Sequence, residues 1–148
     1  MLFKDRYTPY CFDDYKIHRK IISKLRNITE DPPNLLFYGK EGIGKSTMVN
    51  CFLNEMFNTK IEITKKNFKL KINNISKELE INSSIYHFEI NLTKYSLLNN
   101  RNYLCELLKL LVSYQEINKT CPYKIIVIKN AHHINHSLIN FKNIIEKY

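Results

Sequence analysis

The residues best suited to chemistry lie in one short stretch, Gly39-Lys40-Glu41-Gly42-Ile43-Gly44-Lys45-Ser46-Thr47. It fits the pattern of Gly, four residues, Gly, Lys, then Ser or Thr. The chain has 3 glycines, Gly39, Gly42 and Gly44, and all fall in this loop. Glycine tolerates positive φ and lets the main chain approach a ligand closely, so backbone N–H groups can turn inward around phosphate oxygens. A helix beginning behind the loop points its positive end at the same oxygens. Lys45 would reach the β- and γ-phosphates as a point charge, and the Ser46 hydroxyl would ligate a bridging Mg2+. The chemistry implied is binding of ATP or ADP with magnesium.

Such a loop needs a strand before it and a helix after it, and the flanking sequence supplies both. Leu35-Leu36-Phe37-Tyr38 is an apolar run, and Met48 to Phe57 can form a helix. Further upstream, Leu2 to Pro9 is expected to be extended, because proline restricts both its own φ and the preceding residue. From a cap at Asp13 or Asp14 a helix is expected through Ile17, Ile21, Ile22, Leu25 and Ile28, ending before Pro32 and Pro33. Downstream, Lys60 to Ile81 alternates apolar and polar in two runs around Asn73-Asn74, the signature of a ribbon or hairpin whose lysines solvate an edge. Ile85 to Ile90 reads as a second core strand and Asn102 to Leu111 as an amphipathic helix. Tyr123 to Ile128 reads as a third, buried parallel strand, and Ser137 to Tyr148 as a last helix. Alternating strands and helices indicate an α/β fold with a parallel sheet.

The chain has 148 residues, the size of one domain, and Lys+Arg of 23 against Asp+Glu of 14 gives a formal net charge of +9. That balance suits a polyanionic partner such as nucleic acid. The cations are mostly lysine, however, in a chain crowded with Asn, Ile, Lys and Tyr, the bias an AT-rich genome imposes on any protein. Cys11, Cys51, Cys105 and Cys121 are widely spaced with no CxxC pair, as expected of buried free thiols in a reducing compartment. Met1 to Pro9 is charged and lacks the apolar core of a secretory signal, and no apolar stretch approaches a membrane span. The expectation is a soluble intracellular protein with no membrane partner. His132 and His133 are adjacent, diverge in direction and lack a further ligand cluster, so they carry no metal site.

In order and spacing these stretches resemble the small subunits of replication factor C, the sliding-clamp loader, within the AAA+ class of P-loop ATPases. Phe3-Lys4-Asp5-Arg6-Tyr7-Thr8-Pro9 is similar to that family's aromatic-x-Asp-Lys-Tyr-Arg-Pro start, with Thr8 in place of the usual arginine. Leu35 to Lys45 resembles its Walker A strand and loop. Tyr86-His87-Phe88-Glu89-Ile90-Asn91 resembles the second strand of the small subunit whose own ATP site tends to be degenerate. Glu146-Lys147-Tyr148 resembles the end of its Arg-Arg-Thr-Met-Glu-Lys-Tyr helix.

The resemblance implies a three-layer P-loop NTPase (AAA+) core with a parallel sheet. It would carry a β-ribbon insertion between the helix behind the loop and the second core strand. Residues 1–148 would be the N-terminal part of that nucleotide-binding domain, incomplete at the C-terminus, with the lid and collar domains absent. The family's fourth and fifth strands, which flank the first, would also be missing, so the edges of Leu35 to Tyr38 are expected to be unpaired and the isolated chain to be unstable. Tyr7, Pro9, Ile17 and His18 match positions around the adenine base, and Arg101 and Lys142 match positions that face the DNA backbone. Partners would be the other subunits of a hetero-pentamer, the sliding clamp and primer-template DNA, in a nucleus or a viral replication compartment. One departure bears on catalysis: Lys129 and Asn130 stand where the family has its two Walker B acids. Neither can act as a carboxylate base, so ATP would be bound but scarcely hydrolysed. Two other readings stay open. One is a stand-alone P-loop kinase, disfavoured by a C-terminal half whose only arginine is Arg101; the other is an interaction module in which the loop is a relic.

Overall fold

The computed structural model describes residues 6–72, 75–95, 101–114 and 124–133. The expected helix from Ser137 to Tyr148, including Lys142, lies outside these residues, as do Cys121 and Tyr123. The chain divides into two compact units, Met1–Ile61 and Glu62–Tyr148.

In the first unit a 3-10 turn, Phe12–Asp14, precedes helix α1 (Arg19–Arg26) and helix α2 (Lys45–Phe57). Ile22 and Leu25 are the buried residues of α1, while its basic last turn, Lys24 and Arg26, suits the negative end of the helix. They pack with Phe12, Met48, Cys51 and Phe52, and Tyr15, Ile28, Phe37 and Met56 flank this core. Arg26 binds Asp13 at 2.6 Å and Glu55 at 2.9 Å, tying the turn and both helices together.

Three expectations for this unit are corrected. The helix begins at Arg19 and not at Asp13 or Asp14, because His18 has φ 61° and breaks the turn; Ile17 precedes the helix and is 62% exposed. Asp14 instead spends its carboxylate on the N–H groups of Tyr10 at 2.8 Å and Cys11 at 3.1 Å. Arg6 and Tyr7 are helical, not extended. Leu35 to Tyr38 forms no strand among the described residues, with Leu36 79% and Tyr38 88% exposed. An extended run becomes a strand only when a partner satisfies its N–H and C=O groups, and the described residues of this unit contain no other strand.

The second unit holds β1 (Thr64–Ile72), β2 (Ile75–Ser83), β3 (His87–Asn91), helix α3 (Arg101–Ser113) and β4 (Ile125–Lys129). The sheet order is β1-β2-β3-β4. β1 and β2 form the expected ribbon, registered from Thr64↔Ser83 to Ile72↔Ile75. The two core strands β3 and β4 run parallel as expected, and the ribbon joins them to make a mixed sheet, β2 pairing β3 antiparallel at Asn82↔Glu89 and Ser83↔Phe88. The second and third core strands also start two residues later than expected, leaving Ile85 exposed.

Period-two alternation turns Phe68, Leu70, Leu79, Ile81, Phe88 and Ile90 to one face, where they pack on Leu104, Leu107, Leu108 and Leu111 of α3. The ribbon is therefore part of the core and not a free flap. Phe68, Phe88 and Tyr114 meet edge to face with centroids 5.4 to 6.0 Å apart. Lys124 closes the C-terminal end of α3 through the carbonyls of Val112 and Tyr114. The outer strand β1 exposes Lys65, Lys69 and Lys71, which blunt the open edge as expected.

Candidate phosphate-binding site

The loop before α2 depends on glycine for its backbone. Gly39, Gly42 and Gly44 have φ of 150°, 78° and 90°. A Cβ would meet nothing within 4 Å at Gly42 or Gly44, so there the constraint is the dihedral angle alone. Gly44 serves as N-cap and accepts the first helical hydrogen bond from the N–H of Met48 at 2.9 Å. Lys45 is the first helical residue, and its side chain folds back so that Nζ donates to the carbonyls of Gly39 at 2.9 Å and Lys40 at 2.8 Å.

Both ends of the loop are thus held by one ammonium, at the start of a helix whose first N–H groups have no intrahelical acceptor. An ammonium has three donors and two are committed here, so a phosphate oxygen fits the remaining valence without dismantling the loop. Lys40, Glu41, Ile43 and Ser46 are exposed, and Thr47 is half-buried. The donor set, backbone N–H groups with one cation and two adjacent hydroxyls, suits a polyphosphate.

Of the expected adenine-side residues, Pro9 is fastened to α2: its carbonyl accepts from Cys51 Sγ at 3.3 Å, and the next carbonyl, of Tyr10, accepts from Asn54 Nδ2 at 2.9 Å. Burial pushes the Cys51 thiol up to about 11, consistent with an inert core cysteine. Tyr7 is exposed beneath the Arg6 guanidinium, 5.8 Å from its ring centroid. Ile17 and His18 are exposed at the start of α1.

In the second unit, Lys129 and Asn130, which the resemblance sets where two acids are expected, are committed to neighbours. Lys129 Nζ lies 2.8 Å from Oε1 of Glu89, with side chains 26% and 6% exposed respectively. The same oxygen accepts from Asn82 Nδ2 at 3.1 Å. Asn130, at φ 58°, donates its amide to Asn91 Oδ1 at 3.0 Å and to Thr93 Oγ1 at 3.3 Å, and Thr93 also donates to Asn91. The sequence reading gave Glu89 no role, although its signal was there: an acid flanked by the apolar residues Phe88 and Ile90 in a core strand.

His87 shares that face of β3. Ser84 Oγ accepts from the N–H groups of Tyr86 and His87, both at 3.0 Å, so its own proton points to His87 Nδ1 at 2.7 Å. The imidazole is therefore protonated at Nε2, a buried atom with no partner. Burial lowers the His87 pKa; Glu89 opposes the shift and Lys129 adds to it. His132 and His133 stack at 4.2 Å, and among the described residues no group of three metal-ligating side chains occurs. Arg101 is the first residue of α3. Among the described residues no helix is long and apolar enough to cross a membrane.

No family model matches the chain. It is 33% identical over 75 residues to replication factor C subunit 5 of Oryza sativa subsp. japonica, covering 47% of this chain and 21% of that protein. It is 34% identical over 76 residues to replication factor C subunit 3 of Arabidopsis thaliana, covering 50% and 20%. Against replication factor C subunit 5 of Neurospora crassa the identity is 27% over 138 residues, covering 90% and 39%. The chain spans about a fifth of the length of the first two relatives.

Proposed function

This chain is a distant homologue of the replication factor C subunits, and from that premise we propose that it is a clamp-loader subunit that binds ATP or ADP and scarcely hydrolyses it. The observation that carries the reading is the loop closed by Lys45 on the carbonyls of Gly39 and Lys40, with glycines at each positive φ. Gly39 to Thr47 would hold the phosphates, with Ser46 on Mg2+, while Tyr7, Pro9, Ile17 and His18 would flank the base. The metal's contribution would be to neutralise charge on the phosphates.

Weak hydrolysis follows from the groups at the end of β4. Lys129 is neutralised by Glu89, and the Asn130 amide is spent on Asn91 and Thr93. Neither supplies the carboxylate needed to place a metal or orient water.

On this reading the partners would be the other subunits of a hetero-pentamer, a sliding clamp and primer-template DNA, with Arg101 and Lys142 on the DNA backbone. The setting is a nucleus or a viral replication compartment, and residues 1–148 correspond to the N-terminal part of an AAA+ domain. The test is equilibrium binding of a fluorescent ATP analogue. Lys45→Ala removes a charge-assisted contact, and affinity is expected to fall by roughly tenfold or more. Equal affinity in wild type and variant would refute the reading.

A further inference from the structure

Helix α1 and the residues leading into it carry charge that the chain leaves uncompensated. From Tyr15 to Thr29 the sequence holds Lys16, Arg19, Lys20, Lys24 and Arg26 and no acid. Arg26 is held by Asp13 and Glu55. Lys16, Arg19, Lys20 and Lys24 are all exposed and make no ion pair among the described residues. Lysines of the second unit are placed differently: Lys65, Lys69, Lys94, Lys109 and Lys129 each reach a glutamate at 2.7 to 3.1 Å. A lysine-rich composition would bear on both groups alike, so it does not account for the contrast.

The placement on α1 is unfavourable on two further counts. Arg19 and Lys20 stand in the first turn, which has no acid, where the positive end of the helix repels cations. Lys20 and Lys24 are four residues apart, so two like charges adjoin on one face. An anionic partner would relieve both.

Ile21 indicates which kind of anion. It is 50% exposed and sits beside that pair, one residue after Lys20 and three before Lys24. A phosphate backbone presents charge but no apolar group to cover an isoleucine. An acidic peptide presents both, and a carboxylate is the partner that the paired lysines of this chain take. The 8 residues of α1 extend for about 12 Å, matching about four residues of extended chain.

We propose that the face of α1 bearing Lys20, Ile21 and Lys24 docks a short acidic segment of another protein. Its carboxylates pair with Lys20 and Lys24, and an aliphatic side chain between them covers Ile21. Lys16 and Arg19 add attraction at longer range, so binding weakens as salt rises. None of these residues belongs to the Gly39–Thr47 motif, and the proposal does not depend on nucleotide binding.

Fluorescence anisotropy of the full chain with three labelled probes tests it: a short peptide of alternating glutamate and leucine, the same peptide with serine for leucine, and a DNA duplex. The glutamate-leucine peptide should bind, and the double variant Lys20→Ala, Lys24→Ala should weaken it roughly fivefold, the worth of two exposed ion pairs. As a control for non-specific charge, Lys65→Ala, Lys69→Ala removes the same charge from paired lysines and should change the affinity by less than about twofold. Ile21→Ser should weaken the glutamate-leucine peptide roughly threefold and leave the glutamate-serine peptide unaffected. Without ligand, the thermal midpoint of Lys20→Ala, Lys24→Ala should be unchanged or raised, because a repulsion is gone. No binding of the glutamate-leucine peptide, equal losses from the two lysine pairs, indifference to Ile21→Ser, or a lowered midpoint in the α1 variant would each overturn the proposal. A greater loss of DNA than of peptide on removing Lys20 and Lys24 would overturn it as well, by assigning the face to a phosphate backbone.

Discussion

The loop at Gly39 to Thr47 and the strand ends at Glu89 to Asn91 and Lys129 to Asn130 face the same family pattern and meet it in opposite ways. At the loop every position keeps the residue type its chemistry needs, and the backbone takes the positive φ values that glycine permits. At the strand ends Lys129 and Asn130 stand where the resemblance expects two acids, and both side chains are bound into the local packing. Binding phosphate requires backbone geometry and one cation. Cleaving it requires carboxylates as well, so the two capacities can be separated residue by residue. On the proposed reading the binding half would be intact, while Lys129 and Asn130 serve the local packing.

The largest expected effect tests whether Lys129 is now structural. Lys129→Met leaves Glu89 buried without its counter-charge and should destabilise the fold by about 3 kcal/mol, toward the low end for a buried pair because the lysine is partly exposed. Adding Glu89→Gln should recover most of that loss. Urea unfolding of the three proteins measures it, and an unchanged midpoint in Lys129→Met would leave the ion pair without a role. Next, Gly42→Ala or Gly44→Ala should cost about 1–2 kcal/mol, because alanine at positive φ is strained even with open space around it. Thermal unfolding checks the cost, and ATP binding should weaken with it; a neutral result at both positions would mean the loop readily adopts another backbone.

The face beside Lys129 also predicts a pH dependence. His87 has its folded pKa lowered below the ordinary 6.5, so the unfolded chain binds the proton more readily. Stability from this group is complete above about pH 6.5 and declines as pH falls toward the lower folded value. Denaturation midpoints followed from pH 8 down to 5 should drop, with a flatter profile in His87→Gln; identical profiles would remove His87 as the cause. The smallest effect concerns Asn130. Asn130→Ala loses the bonds to Asn91 and Thr93 and places alanine at φ 58°, costing about 1 kcal/mol, whereas Asn130→Gly loses the bonds but not the backbone tolerance and should cost less. The reverse order in unfolding experiments would show that φ is unimportant there.

What was legible in the sequence was local. The loop could be read because its glycines, lysine and hydroxyls fall within nine residues, and the ribbon because apolar and polar residues alternate on both sides of Asn73-Asn74 in the sequence. Helix α3 was likewise visible in Leu104, Leu107, Leu108 and Leu111. What was not legible depended on distant partners. Leu35 to Tyr38 is apolar enough for a strand, but a strand exists only with a neighbour, and the neighbour is not encoded in the run itself. Asp13 and Asp14 have cap chemistry, yet one is spent on Arg26 and the other on the N–H groups of Tyr10 and Cys11. Lys129 read simply as a missing acid until Glu89, on the adjacent strand, gave it a partner.

The most direct test of the separation between binding and hydrolysis is to load the full chain with terminally labelled ATP and Mg2+ and follow bound nucleotide and released phosphate together, in wild type and in Lys45→Ala. The account predicts saturable binding by the wild type that Lys45→Ala abolishes or severely weakens, with phosphate release at background in both. Sustained phosphate release by the wild type that Lys45→Ala abolishes would contradict it, because hydrolysis would then proceed despite Lys129 and Asn130.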